Sequence, residues 1–136
     1  MKKQWLVGMF LLLPGIAMAD ELCADAEDTA ALNKCIHQEV EKAEAELDRY
    51  LQASREVHAE RSDAVVTMEA AQGAWIRYRD SHCLAVYDLW QEGTVRGAML
   101  GSCLLDHTRR RTHDIWEVYL ASADGDPALP EPSLDK

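Results

Sequence analysis

Gln72-Gly73-Ala74-Trp75-Ile76-Arg77-Tyr78-Arg79-Asp80-Ser81-His82-Cys83 reads as the middle of one helix. Gln72, Trp75, Ile76, Arg79 and Cys83 recur at intervals of three and four, the spacing that gathers side chains on one helical face. The stripe extends upstream through Val65 and Met68, and downstream through Val86, Tyr87 and Trp90. Ser62 and Asp63 offer capping residues before it. Gly93-Thr94-Val95-Arg96-Gly97 offers a chain reversal after it. Gln72 and Arg79 are polar members of an otherwise apolar face. Burial of such groups is unfavourable unless they are hydrogen-bonded, so both need partners if they are buried.

The same period appears on either side. Leu32, Cys35, Ile36, Val40, Ala43, Leu47, Tyr50, Leu51 and Val57 predict a first helix, capped by Asp28 or Thr29 and running to about Glu60. Glu39, Glu41, Lys42, Glu44, Glu46 and Arg49 fall mostly between these positions and are expected to be solvated. Met99, Leu100, Cys103, Leu104, His107, Arg111, Ile115, Val118 and Tyr119 predict a third helix. No stretch alternates long enough to make a strand. The expected fold is therefore all-α, a three-helix bundle with a short N-terminal segment. Trp75, Trp90 and Trp116, at helical spacing, are expected in its core.

The ends of the chain differ in composition from this middle. Lys2 and Lys3 precede an apolar run, Trp5 to Leu13; Pro14 and Gly15 break it, and Ala17-Met18-Ala19 has the small-x-small form cut by signal peptidase. The run is too short to span a membrane. Residues 1–19 are thus expected to be a signal peptide cleaved after Ala19, with a helical domain over 20–122 exported to the periplasm. Residues 123–136 hold Gly125, Pro127, Pro130 and Pro132 among acids, and are expected to form a disordered acidic tail.

Four cysteines, an even number in an oxidising compartment, point to disulfides. Three pairings are possible. The local one, Cys23 with Cys35 and Cys83 with Cys103, would tie the N-terminal segment to the first helix and close the second and third into a hairpin. A zinc site is disfavoured, because no CxxC pair exists. None of the five histidines (His37, His58, His82, His107, His113) forms an i, i+4 pair on one helix either. No metal or cofactor is expected.

The full chain has 14 Lys and Arg against 24 Asp and Glu, and loss of Lys2 and Lys3 with the signal leaves a net −12. Such a chain repels nucleic acid and anionic lipid surfaces and attracts a basic protein partner. Neither a nucleophile with a base at recognisable spacing nor a glycine-rich phosphate loop is present, so an enzyme is not expected.

Cys35, the Gln72-x-x-Trp75-x-x-Tyr78-Arg79-Asp80-x-x-Cys83 run, Gly93-Thr94, Cys103 and Thr108-x-x-Arg111-x-x-x-Ile115 resemble the LprI-type family. These are small exported bacterial helical domains described as lysozyme inhibitors. The resemblance covers roughly residues 23 to 119. It departs from the family pattern in the first helix, at Glu44, Leu47, Asp48 and Leu51, and at the bend, where Glu92-Gly93-Thr94 replaces the usual paired glycines. It implies a lysozyme as the basic partner, and an inward-facing Arg111. Gln72, Trp75, Tyr78, Arg79, Asp80 and Arg111 form the structural motif, with Arg79 expected as a guanidinium bridging helices. The candidate contact surfaces are the bend, Glu92, Gly93, Thr94, Val95 and Arg96, and the acidic face of the first helix, Glu39, Glu41, Glu46 and Asp48. A loop held by a disulfide loses little entropy on binding, which ranks the bend first. A periplasmic interaction module that inhibits nothing, such as an envelope-stress or toxin-immunity protein, is the alternative reading.

Overall fold

The computed structural model describes residues 22–121 and 125–134. It contains three long helices, α1 (Thr29–Val57), α2 (Ser62–Leu89) and α3 (Arg96–Ile115), the last passing into a π-helical turn, Trp116–Leu120. No strand occurs among the described residues. The all-α expectation therefore holds, and so does the local pairing of cysteines. Cys23–Cys35 has a Cα–Cα distance of 6.0 Å and Cys83–Cys103 one of 5.6 Å. Each closes a loop short enough to contribute about 3 kcal/mol by restricting the unfolded chain. The expected signal peptide and its cleavage after Ala19 lie outside the described residues.

Helix α1 starts where sequence places a cap. Asp28 Oδ1 accepts the Ala31 N–H at 2.7 Å, satisfying one donor of the first turn. It ends at Val57 rather than near Glu60, with His58 turned out of the helix and its Nε2 at 2.9 Å from the Tyr119 carbonyl. Helix α2 corrects the expected capping. Arg61 occupies the cap position without a side-chain hydrogen bond, and Ser62 is already helical. Asp63 instead sits in the first turn, where its charge complements the positive end of the helix. Gly97, expected to close the bend, lies in the first turn of α3.

Helix α3 is the central element, packed along α1 on one side and α2 on the other. Its approach to α1 is set by two glycines one turn apart. A Cβ at Gly97 would lie 3.1 Å from Asn33 Oδ1, and one at Gly101 would overlap Ile36 Cγ2. The apolar core has one cluster of Val40, Ala43 and Leu105, and another of Leu47, Tyr50, Leu51, Ile115 and Leu120. Trp75 and Trp116 pack on the second cluster, as expected of core tryptophans. Trp90 does not. It is 45% exposed, because it follows the last residue of α2, past the Cys83–Cys103 staple and before α3 begins.

The C-terminal stretch also departs from expectation. Residues 125–134, read as disordered from their prolines and acids, lie against the bundle. Leu129 packs on the second core cluster and Pro132 is buried. Trp116 Nε1 donates to the Leu129 carbonyl at 3.0 Å, and the Tyr50 hydroxyl donates to the Pro130 carbonyl at 2.7 Å. Leu129, Pro132 and these two carbonyls seat the strap together with Glu131, whose carboxylate lies 3.0 Å from His113 Nε2, and its prolines leave it little freedom to lose. Between it and α1 lies a shallow groove of about 330 Å³ lined by Arg49, Gln52, Ala53, Glu56, Val57, Ala128 and Leu129.

Candidate partner-binding surface

The motif residues are brought together as scaffold. Arg79, only 8% exposed, donates through Nη1 to Glu44 at 2.9 Å and to Thr108 Oγ1 at 3.0 Å, and through Nε to Asp80 at 3.0 Å. One guanidinium thereby joins all three helices. Thr108 passes the connection on by donating to the Leu104 carbonyl at 2.7 Å. Arg111 Nε donates to the buried Gln72 amide oxygen at 3.0 Å, and both guanidinium groups lie near the Trp75 ring, at 5.1 Å for Arg79 and 5.8 Å for Arg111. The two polar members of the α2 face thus have the partners that burial demands. Tyr78 stands apart from this network. It is 56% exposed and stacks on His82.

The bend is built by its own backbone. Gln91 takes a left-handed conformation (φ 46°), and the Gly93 N–H donates to the Trp90 carbonyl at 3.0 Å. Arg96 Nη1 donates to the Gln91 carbonyl at 2.7 Å, while its guanidinium carbon lies 4.5 Å from the centre of the Tyr87 ring. Arg96 and Val95 are half-buried and act as supports for the turn. Of the five expected contact residues, Glu92, Gly93 and Thr94 are exposed.

Sequence reasoning missed the exposure of two large apolar side chains at this tip. Leu89 is 79% exposed and Trp90 45%. Because helical periodicity assigned Trp90 to the core, only its place one residue past the helix end could have signalled otherwise. The Gly97–Asn33 and Gly101–Ile36 approaches put the start of α1 at the same end of the bundle. That end therefore combines exposed Leu89 and Trp90 with exposed Asp25, Glu27, Asp28, Asp88 and Glu92.

The acidic face of α1 is less available. Glu39 bonds Lys42 at 2.7 Å and lies 3.9 Å from Arg109; Glu41 pairs with His37 and Glu46 with Arg49. Three of its four acids thus have a cationic or imidazole neighbour that reduces their pull on a distant charge.

The family model for the lysozyme inhibitor LprI matches residues 22–115 of the chain. An uncharacterized protein of Rhizobium meliloti (strain 1021) is 31% identical over 108 residues, covering 71% of this chain and 77% of that protein. No solved structure matches.

Proposed function

The chain belongs to the LprI lysozyme inhibitor family, and on that premise we propose that it is a periplasmic inhibitor that binds a lysozyme and shields the cell wall. The observation that carries this reading is the exposed Leu89–Trp90 pair, presented on a disulfide-stapled tip and rimmed by carboxylates. An aromatic anchor beside an aliphatic one is the composition of a binding hot spot. The surrounding acids, within a chain of net −12 once exported, steer it toward a strongly basic enzyme. Muramidases cleave glycans in a cleft between two carboxyl groups. A rigid tip that fills this cleft excludes the substrate without any chemistry of its own. Residues 1–19 supply the export signal.

The test is titration of the purified, oxidised protein into a wall-lysis assay with c-, g- and i-type lysozymes, at low and at physiological salt. Stoichiometric inhibition of one type that persists at physiological salt is expected. Trp90→Ala should weaken it by about 2 kcal/mol, roughly thirtyfold, the usual loss at a tryptophan hot spot. Absence of inhibition, or inhibition that vanishes with added salt, would refute the inhibitor reading and leave generic charge attraction in its place.

A further inference from the structure

Three of the five histidines have polar partners. His37 pairs with Glu41, His58 meets the Tyr119 carbonyl and His113 meets Glu131. His82 and His107 instead make ring contacts. They face each other from α2 and α3 with centroids 5.0 Å apart, and Tyr78 lies against both, at 5.6 Å from His82 and 5.8 Å from His107. Neither imidazole makes a hydrogen bond or ion pair among the described residues, so the ring nitrogens remain available as ligands.

Their meeting is fixed by covalent structure. His82 precedes Cys83, and His107 lies one helical turn beyond Cys103, so the Cys83–Cys103 bond holds the two rings level across the hairpin. A ligand nitrogen of each ring and Cys103 Sγ all lie within 4.8 Å of one another. Two imidazole nitrogens on a tetrahedral zinc ion, at about 2.0–2.1 Å each, stand a little over 3 Å apart. A small side-chain rotation of His82, which is exposed, closes that difference. Cys103 is engaged in the disulfide and supplies no thiolate, so water completes the coordination.

The geometry points to His82 and His107 as a surface binding site for a late divalent transition cation of the Zn²⁺ type. Neutral imidazole suits such ions and is a poor ligand for Mg²⁺ or Ca²⁺. A bound ion would cross-link α2 and α3 on the exposed side of the hairpin, beyond the staple already present. Helical periodicity within one segment cannot reveal the site, because its ligands come from different helices.

Isothermal titration of Zn²⁺ alone into the oxidised protein, with Mg²⁺ as the control cation, tests the assignment. One Zn²⁺ per chain and no Mg²⁺ uptake are expected. His82→Gln and His107→Gln should each weaken Zn²⁺ binding about tenfold or more, and His113→Gln should leave it unchanged. Far-UV circular dichroism will show that the variants keep their helices, and the exposure of His82 makes its variant the decisive one. Two results would overturn the proposal. One is failure of the folded wild type to take up Zn²⁺. The other is uptake insensitive to His82→Gln but lost in His113→Gln, which would move the ion to the His113, Asp114 and Glu117 cluster.

Discussion

The Tyr50 hydroxyl donates a 2.7 Å hydrogen bond to the carbonyl of Pro130, eighty residues further along the chain. Tyr50 is 1% exposed, so its ring belongs to the core while its oxygen reaches the strap. The C-terminal stretch is thereby joined to the C-terminal third of α1. Burial raises the Tyr50 phenol above its ordinary value, with Arg49 opposing and Glu46 reinforcing the shift.

Tyr50→Phe keeps the ring and removes this bond. The expected loss is about 1 kcal/mol, the net value of one hydrogen bond, expressed mainly as release of the strap. Faster proteolytic cutting within residues 125–134, with little change in global unfolding, would verify it. Alkali should act in the same direction. Because the folded state holds the phenol proton more tightly, stability falls as pH rises above the unfolded value of about 10.

Arg79 joins all three helices through hydrogen bonds to Glu44, Asp80 and Thr108. Its removal leaves a buried threonine hydroxyl short of one donor and two carboxylates without their cation. Since Glu44 and Asp80 are about half exposed, water recovers part of their loss. Arg79→Met should therefore cost about 2 kcal/mol, below the usual 3–5 for breaking a fully buried pair. The proposed lysozyme binding, per folded molecule, should be unaffected, because Arg79 lies away from the tip. A urea titration paired with the wall-lysis assay separates the two effects.

The three helices and both disulfides were legible in the sequence because their signals are local. Apolar residues repeat at helical spacing, and the cysteines pair with their nearest neighbours in the chain. The need of Gln72 and Arg79 for partners was legible too. Which partners they find was not, since Arg111 and Thr108 lie on another helix, 39 and 29 residues away. Trp90 was misplaced because periodicity does not record where a helix stops. The strap was missed because a few side-chain anchors, Tyr50 and Trp116 among them, outweigh a composition that favours disorder.

Gly101 marks a close approach of α3 to α1, where an added methyl would overlap Ile36 Cγ2. Alanine is about 1 kcal/mol better than glycine inside a helix. Overpacking at a tight crossing costs about 1–3 kcal/mol and should win. Gly101→Ala is expected to destabilise the protein despite its better helix propensity. Adding Ile36→Ala opens the space, so the double variant should be more stable than the sum of the single effects predicts. Strict additivity in chemical denaturation would show that the crossing relaxes without strain.

Glu69 on α2 and Arg55 on α1 form an ion pair between the two outer helices. The hydrogen bond from Arg55 holds the Glu69 carboxyl below its ordinary value of 4.5, with burial opposing the shift and the charge of Arg55 reinforcing it. A carboxyl whose value is depressed by folding adds stability above its unfolded pKa. That stability disappears as pH falls through the folded value. Both side chains are more than a third exposed, so the contribution should stay below about 1 kcal/mol and shrink with salt. Wild type should exceed Glu69→Gln in stability at pH 7, and the gap should close in acid as Glu69 is protonated in both states. Denaturation curves from pH 7 to pH 3 at low salt measure it directly. A gap independent of pH would mean that the contact acts through packing or neutral hydrogen bonding, and that charge between the outer helices contributes nothing to holding them together.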